Sequence, residues 1–490
     1  MNLDNLVYYE ELHVFKKFSM PSIKFTRKRN ELNVKISVGL PLLNLDIAYG
    51  VYGTSLALRF LIDYEALENP IKAKELEIKS IVNVVKNSTE RLISELGFFA
   101  KNVLISPSFY VYEVCSMHKA LFDILDPLVL ALAMKISKYR KVIERKIVQY
   151  SGILEKYNIV QFIPELFMFV PTEDLLRKAM SKDKLRFLKS YMYDAMLPYM
   201  NYLLKTRQAL SSLTLGSINI VREKIVYPNP YSEVYFKVDD KLVKLHETLR
   251  NVRVIKDLGG VVNYTVLAKL KGNGEKLVVM KKYRNWKAIK WLPTALWTIG
   301  SIDFTPIPGE RLLRETRALI ILAKHGFKVP SIYSIDWVNK VLVREYIEGI
   351  PLSDIIRKKK KKLSEIAYRA GALLASIHSK GITLGDSRPS NIILSNGHLV
   401  PVDLEQSSNT IPPAWDIAEF LSFMSMDLLF RIKESLNAAK SFAEGYLSIS
   451  NNRKVFYNSF KAKYVRILLP ISPIFPLIAS YVKDIIEETA

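Results

Sequence analysis

The stretch that decides the fold is GITLGDSRPSNIILSNGHLVPVDLEQ, residues 381–406. Asp386 is followed by Asn391 five residues later and by Asp403 twelve residues beyond that. Two short apolar runs between Asn391 and Asp403 flank an Asn-Gly pair, which predicts a β-hairpin. The open end of this hairpin would bring Asn391 and Asp403 close together. The three polar residues could therefore form a phosphate-and-metal site, or they could only cap turns between buried strands.

An Asp, an Asn and a second Asp carry groups that phosphoryl transfer needs. The carboxylate of Asp386 could accept a proton from a hydroxyl nucleophile. The side-chain oxygens of Asn391 and Asp403 are ligands of the type that Mg²⁺ takes. Because phosphoryl transfer depends mainly on positioning and on charge neutralisation, these groups would be sufficient if cationic residues joined them.

Lys281 and Glu315 are the upstream candidates. Lys281 ends the apolar run VVMK, so it could reach from a strand across a cleft to a phosphate, although most strand lysines are exposed edge residues. Glu315 shares a predicted helix with leucines at three- and four-residue spacing, which would turn it inward toward Lys281. The alternative is a solvated glutamate beside its neighbouring arginines.

Two adjacent glycines, Gly259 and Gly260, stand before a predicted strand. They would let the backbone approach a phosphate closely, and a plain turn is an equally good interpretation. The Asn-Gly pair at 273–274 differs from them, because it joins two strand-like runs and predicts a hairpin turn.

The chain is too long for one compact core, and two or three domains are expected at 490 residues. Residues 1–226 are predicted to be a mainly helical domain that begins with a β-hairpin, and they contain no constellation that can be tied to chemistry. A proline-rich break at 227–233 precedes short strand-like runs and then helices. This pattern predicts an α+β fold for residues 227–490.

The composition limits the partners and the compartment. The formal net charge of +23 permits a polyanionic partner such as RNA, an acidic protein or an anionic membrane, and a solvated lysine-rich surface explains it equally well. The single cysteine, Cys115, cannot form a disulfide within one chain. The longest uncharged run, 467–482, is shorter than the roughly 20 residues of a spanning helix. No transmembrane helix is predicted, and we expect a cytoplasmic protein with a buried C-terminal tail; a membrane-surface anchor is the alternative.

Residues 250–430 resemble the protein-kinase-like fold, especially its atypical archaeal members, which include the RIO kinases and the small kinase of the KEOPS complex. The resemblance implies a bilobal domain, with an N-lobe at about 227–346 and a C-lobe at about 347–490. It also implies ATP and Mg²⁺ as cofactors. The resemblance rests on the hinge-like segment LVREYIEG and on the joint order of Lys281, Glu315, Asp386, Asn391 and Asp403.

The resemblance implies a role for each of these five residues. Asp386 would be the catalytic aspartate, and Asn391 and Asp403 would bind the metal. Lys281 and Glu315 would form the lysine–glutamate pair that helps to bind the nucleotide.

Other positions match the family pattern more loosely. Gly259 and Gly260 would belong to a degraded glycine loop, and Glu345 and Tyr346 to the nucleotide-binding hinge. Arg388, two residues after the catalytic aspartate, stands where typical serine/threonine kinases have lysine, and it could act in catalysis by holding a transferring phosphate.

The catalytic loop and the segment after it depart from the family pattern. Asp416 resembles the buried aspartate that steadies the catalytic loop, but Leu384 replaces the usual histidine of that loop. The triplet Asp403-Leu404-Glu405 lacks its glycine. No obvious activation segment separates Asp403 from Asp416, so peptide docking of the usual kind is not expected.

The sequence therefore predicts an ATP-dependent protein serine/threonine kinase with a protein substrate. Three alternatives stay open: a kinase-fold ATPase that serves an RNA-processing assembly, a small-molecule or lipid-headgroup phosphotransferase, and a pseudokinase scaffold. The basic run from Arg357 to Lys362 could contact nucleic acid or an acidic partner, or it could be a solvated linker. The tryptophan-rich segment 284–309 could dock a partner, a membrane or the N-terminal domain.

Overall fold

The chain divides into two units along its length. In the computed structural model, contacts separate residues 1–237 and 243–246 from residues 238–242 and 247–490. The structure describes residues 7–17, 22–28, 31–49, 55–121, 136–182, 229–247, 249, 252–259, 263–270, 275–284, 304–358 and 362–488.

The first unit begins with a small sheet. Its strands are β1 (Val7–Phe15), β2 (Ser22–Lys28) and β3 (Glu31–Gly39). The two runs that predicted a hairpin are β2 and β3, and they pair antiparallel. Strand β1 pairs with β3 in parallel, so the sheet has the order β1–β3–β2.

Helices follow this sheet, and their ends carry recognisable caps. The side chain of Asn69 accepts a hydrogen bond from the backbone N–H of Lys72 at 3.1 Å, which caps the helix that begins at Pro70. The side chain of Thr172 caps a second helix, because it accepts a hydrogen bond from the backbone N–H of Leu175 at 3.3 Å. Within the described residues of this unit, the helices are α1 (Leu40–Tyr49), α2 (Ser55–Leu58), α3 (Pro70–Leu96), α4 (Pro107–Leu121), α5 (Ile136–Gln149), α6 (Ser151–Lys156) and α7 (Glu173–Lys182). Residues 183–228, which include the end of the predicted helical domain, lie outside the described residues.

A second sheet shifts the boundary between the units. Its strands are β4 (Val103–Ile105), β5 (Val160–Ile163), β6 (Met168–Pro171), β7 (Val234–Val238) and β8 (Lys241–Lys244), in the order β5–β6–β4–β7–β8. Strand β7 pairs antiparallel with β4.

The sequence pattern predicts that β7 belongs to the second domain, which would begin at residue 227. Pairing with β4 instead assigns residues 234–237 to the first unit, and the chain passes to the second unit between 237 and 247, downstream of the predicted boundary at 226. The physical reason is that β4 is a short buried strand within a helical stretch, and its backbone groups need partners. Strand propensity alone does not indicate which sheet a run will join.

The second unit opens with a five-stranded antiparallel sheet. Its strands are β9 (Val252–Gly259), β10 (Asn263–Leu270), β11 (Lys276–Tyr283), β12 (Ile332–Asp336) and β13 (Val341–Glu345), in the order β12–β13–β11–β10–β9. Helix α8 (Pro308–Lys324) contacts both β11 and β13. Because β11 lies between β10 and β13, it is a central strand, and its side chains are positioned from both sides.

A hairpin and a group of helices complete the second unit. Strands β14 (Ile350–Pro351), β15 (Ile392–Ser395) and β16 (His398–Pro401) form a small antiparallel sheet. The predicted turn joins β15 to β16, with positive φ angles of 46° at Asn396 and 79° at Gly397. The helices are α9 (Leu352–Lys358), α10 (Leu363–His378), α11 (Pro413–Asp427), α12 (Ile432–Ile449), α13 (Arg453–Ser459), α14 (Ala462–Leu468) and α15 (Phe475–Glu488).

The C-terminal segment packs into the core of this unit. Phe475, Ile478 and Val482, on one face of α15, are fully buried. Across the part of the chain that the structure describes, no helix is both long enough and apolar enough to cross a membrane.

Helices α10 and α12 lie very close together, because each helix has a glycine that faces the backbone of the other helix. A Cβ added at Gly371 would lie 2.1 Å from the carbonyl oxygen of Phe442, and one added at Gly445 would lie 1.9 Å from that of Tyr368. Neither oxygen can move without shifting a helix. The position of α10 therefore depends on the absence of a side chain at both residues.

We predict that Gly371→Ala destabilises the second unit by about 1–3 kcal/mol, because the added methyl forces the two helices apart. Calorimetric unfolding of the full chain measures this change. Gly152→Ala in α6 is the matched control, since a Cβ there has no atom within 4 Å, and its stability should be unchanged or slightly higher. Equal unfolding temperatures for Gly371→Ala and the unmodified chain would contradict the prediction.

Candidate active site

The centre of the site is a buried ammonium group. Lys281 lies on β11 and is only 2% exposed. Its Nζ lies 2.7 Å from Glu315 Oε2 and 2.8 Å from Glu405 Oε2, and it also donates to Asp403 Oδ1. Burial alone would lower the pKa of Lys281, but the three carboxylates outweigh burial and raise the pKa above its ordinary value. The lysine is therefore a fixed positive charge.

Glu315 is held from three sides. It is fully buried on α8, which excludes the solvated alternative. Besides Lys281, it accepts a 2.7 Å hydrogen bond from the hydroxyl of Tyr283. The Nε of Arg344, a buried residue near the end of β13, lies 3.2 Å from its second oxygen. The structure thus brings Lys281 and Glu315 together, and Tyr283 and Arg344 join them without having been predicted.

A second ion pair extends the cluster. Arg311 is fully buried one helical turn before Glu315, and its guanidinium donates to Glu405 Oε1 at 2.7 and 3.2 Å. The side chain of Asn263, at the start of β10, donates to Glu405 Oε2 at 2.7 Å and accepts from Arg311 at 2.6 Å. In the sequence, Glu405 is visible only as a departure from a family triplet. The i, i+4 spacing of Arg311 and Glu315 was the available signal that both face inward.

The β15–β16 hairpin delivers two predicted metal ligands. The backbone N–H of Val402 donates to the carbonyl of Asn391 at 2.8 Å, so the chain remains paired up to the residue before Asp403. Asp403 itself has a φ of 61° in the left-handed region, which aspartate tolerates better than most residues do. Burial would raise the pKa of Asp403, but Lys281 outweighs burial and lowers it, so this carboxylate is ionised. The hairpin explains why Asn391 and Asp403 approach each other.

Asp386 and Arg388 form a bidentate pair. Arg388 Nε lies 2.5 Å from Asp386 Oδ1, and Nη2 lies 2.5 Å from Oδ2. The side chain of Asn391 donates to the backbone carbonyl of Asp386 at 3.1 Å. Burial raises the pKa of the Asp386 carboxyl above its ordinary value, and Arg388 opposes that rise. A carboxylate with a raised pKa is a stronger base than an exposed aspartate.

Asp416 fixes the backbone of the loop that carries Asp386. It accepts from the backbone N–H of Leu384 at 2.7 Å and from that of Gly385 at 2.9 Å. His378 Nε2 lies 3.0 Å from the same carboxylate. Because residue 384 is a buried leucine and not histidine, the loop has no imidazole of its own. His378, at the end of α10, contacts Asp416 instead, and no sequence pattern predicted this contact.

Glu419 is a further buried carboxyl beneath this loop. One turn after Asp416 on α11, it accepts from the backbone N–H of Ser387 at 2.7 Å and from the Ser387 hydroxyl at 3.1 Å. Burial first, and then the nearby Asp386, raises the pKa of Glu419 well above its ordinary value. Sequence reasoning missed Glu419, and its three-residue spacing from Asp416 was the only signal.

The structure does not draw the remaining predicted residues into this cluster. Gly259 has a φ of 77° and open space where a Cβ would stand, as a glycine in a turn or a phosphate loop would. The carboxylate of Glu345 accepts from the backbone N–H of Ser331 at 3.1 Å, and the backbone N–H of Tyr346 donates to the carbonyl of Leu277 at 3.3 Å.

Several predictions about partners fall on residues that are not described. Gly260, residues 359–361 of the basic run and residues 285–303 of the tryptophan-rich segment lie outside the described residues. At the start of the basic run, Arg357 Nε lies 3.2 Å from Asp427 Oδ1. The first residue of the basic run therefore forms an ion pair with the last residue of α11.

Comparison with known proteins finds a family model and several relatives that match parts of this chain. A family model described as the RIO domain matches residues 309–428, from the start of α8 to the end of α11. The chain is 33% identical over 108 residues to the KEOPS complex subunit Bud32 of Pyrococcus abyssi, which is 22% of this chain and 49% of that protein. It is 31% identical over 150 residues to a probable serine/threonine-protein kinase, a BUD32 homolog, of Archaeoglobus fulgidus, which is 30% of this chain and 72% of that protein. It is 30% identical over 160 residues to serine/threonine-protein kinase D of Synechocystis, which is 32% of this chain and 30% of that protein.

The second unit has the kinase-like fold, and the predicted α+β class with helices in the N-terminal region is confirmed. Within that class, the chain belongs to the RIO-domain family of Bud32-like proteins, as the resemblance predicted. The chain spans only about half of the Bud32 proteins of Pyrococcus abyssi and Gibberella zeae, 49% and 55% of their lengths.

We predict that Asp416→Asn destabilises the second unit by about 1–3 kcal/mol. An asparagine oxygen can accept only at one end of the side chain, so the amide N–H₂ would face either the backbone N–H of Leu384 or that of Gly385. Thermal unfolding measures the loss, and hydrogen exchange at Gly385 should accelerate. Asp484→Asn, at an exposed position on α15, is the control and should change stability by less than about 0.5 kcal/mol. Equal effects of the two substitutions would refute the role of Asp416.

Proposed function

We propose that the second unit is an ATP-dependent phosphotransferase that acts as a protein serine/threonine kinase and uses Mg²⁺. The observation that carries this proposal is the convergence of Glu315, Asp403 and Glu405 on the buried ammonium of Lys281. Relatives whose names include serine/threonine-protein kinase support a kinase or an ATPase-like enzyme. We also propose that the phosphoryl acceptor is a protein and that this chain is located in the cytoplasm.

The residues present fit Mg²⁺ and ATP by their chemistry. Asn391 and the ionised Asp403 offer oxygen donors, which suit Mg²⁺. Lys281 offers a permanent positive charge for phosphate oxygens, and the glycine conformation at Gly259 leaves room for a close approach to the backbone. Bound Mg²⁺ and ATP would supply the phosphoryl group and compensate its charge.

The residues of the chain itself would position the acceptor and move its proton. Asp386 would accept the proton of the acceptor hydroxyl, and its raised pKa suits that role. Arg388 holds both oxygens of Asp386 and carries a charge that a phosphoryl group could share. Asp416 and Glu419 fix the loop through its backbone N–H groups, so Asp386 is preorganised.

We predict that Asp386→Ala and Asp403→Ala each lower phosphate transfer from labelled ATP by roughly 10²- to 10⁴-fold. Asp386→Ala removes the base, and Asp403→Ala removes a metal ligand. Labelled protein and released phosphate are measured in the same reactions, with a generic protein acceptor and without it. Asp484→Ala, at an exposed position, is the control. Equal transfer in the two site variants and in the control would refute the proposed enzyme.

A pH profile tests the base separately. A base works when it is deprotonated, so the rate falls as pH decreases through its pKa. Burial raises the pKa of Asp386, and the charge of Arg388 opposes that rise. Because Arg388→Gln removes this charge, the pKa of Asp386 should rise further. We predict that the acidic limb of kcat/KM moves upward by about one pH unit or more. Arg466→Gln, exposed on α14, should leave the limb unchanged, and an unmoved limb in Arg388→Gln would exclude Asp386 as the titrating base.

The second candidate function is an ATPase that serves an RNA-processing assembly. Two observations favour it: the net charge of +23, and relatives that carry the names KEOPS complex subunit and probable bifunctional tRNA threonylcarbamoyladenosine biosynthesis protein. The same assay separates the two functions. Phosphate release that RNA stimulates, without labelled protein, would support the ATPase and reject the protein kinase.

A further inference from the structure

Glu405 is the most unusual member of the site. The kinase triplet that the sequence resembles ends in glycine, and here a carboxylate stands in that place, only 11% exposed. Two of its partners, Arg311 and Asn263, also bind each other. Glu405 is therefore held rigidly against the third partner, Lys281, at 2.8 Å.

Lys281 already has as many carboxylate partners as it has N–H groups. An ammonium group carries three N–H donors, and the oxygens of Glu315, Asp403 and Glu405 all lie within ion-pair distance of Nζ. A phosphate oxygen can gain this ammonium only if one carboxylate gives way. A phosphate is also repelled by the carboxylates themselves.

The three carboxylates differ in how firmly they are fixed. Glu315 is 0% exposed, accepts a hydrogen bond from Tyr283 and lies within ion-pair distance of Arg344. Glu405 is fixed by Arg311, which is itself fully buried. Asp403 is 35% exposed, much more than either of the other two. Asp403 is therefore the carboxylate that a cation can reach and that Lys281 can release.

We propose that Glu405 is a positioning residue that makes nucleotide binding depend on the divalent cation. Because Glu405 keeps its place on Lys281, a phosphate can bind this ammonium only at the position that Asp403 holds. Asp403 leaves that position when its carboxylate ligates Mg²⁺ instead. This inference rests on the proposed function, because it assumes that the site takes a nucleotide phosphate.

The substitution Glu405→Gln tests the coupling. The amide has the same shape and can still accept from Arg311, but it removes the charge that competes with a phosphate for Lys281. ADP affinity is measured by titration calorimetry on the full chain, with saturating Mg²⁺ and with EDTA. In the unmodified chain, the dissociation constant of ADP should be much larger in EDTA than in Mg²⁺. In Glu405→Gln, the ratio of the dissociation constant in EDTA to that in Mg²⁺ should fall by about tenfold.

Two further variants make the result specific. Glu444→Gln removes one negative charge at a half-exposed position on α12, where the partner of the carboxylate is Lys440, and it should leave the ratio unchanged. The double variant Arg311→Gln/Glu405→Gln removes both charges of one ion pair, so it leaves no unpaired buried charge that would prevent folding. Its ratio of the dissociation constant in EDTA to that in Mg²⁺ should fall as in the single variant. If thermal unfolding shows that Glu405→Gln does not fold, the double variant decides.

The other outcomes overturn the inference in distinguishable ways. If the unmodified chain binds ADP and folded Glu405→Gln keeps the same ratio, Glu405 does not couple the two ligands, and the proposed function stands. If Glu405→Gln loses affinity equally with and without Mg²⁺, its role is only structural. If the unmodified chain binds no ADP under either condition, both the proposed function and the coupling fail.

Discussion

The second unit is organised around the burial of one ammonium group. A charge that leaves water is tolerated only when charged partners and hydrogen bonds replace its hydration. For Lys281 those partners come from α8, which carries Glu315, and from the segment after β16, which carries Asp403 and Glu405. Removing one partner of such a buried pair typically costs about 3–5 kcal/mol. The sheet, the helix and the hairpin are therefore linked by a condition of electrostatics as well as by apolar packing.

The loop that carries Asp386 obeys a second constraint, which acts through the backbone. Asp416 and Glu419, one turn apart on α11, receive the N–H groups of residues on both sides of Asp386. This arrangement sets the direction of the loop independently of Lys281. The two constraints meet at Asn391, which binds the carbonyl of Asp386 and begins the hairpin that ends before Asp403.

The sequence predicted those parts of the site that local patterns encode. An Asn-Gly turn predicts a hairpin, and a helical spacing predicts that Glu315 faces inward, so both ends of the Lys281–Glu315 pair could be named. Contacts between distant segments leave no such pattern: Asn263 and Glu405 are 142 positions apart, and His378 reaches Asp416 across 38. The boundary between the two units lies downstream of the predicted position for the same reason, because the pairing of β7 with β4 joins residues that are far apart in sequence.

The departures from the kinase pattern are compensated within the structure. The loop lacks an imidazole at Leu384, and His378 contacts Asp416 from the preceding helix. The triplet lacks its glycine, and Arg311 and Asn263 neutralise and bind the carboxylate that replaces it. Well-packed apolar residues of similar volume are often as stable as a buried ion network, or more stable. Apolar packing would serve a scaffold at least as well as the burial of Lys281, Asp386 and Glu419, whereas an enzyme needs fixed charges where a phosphoryl group is transferred. The compensation therefore argues for the phosphotransferase over the pseudokinase.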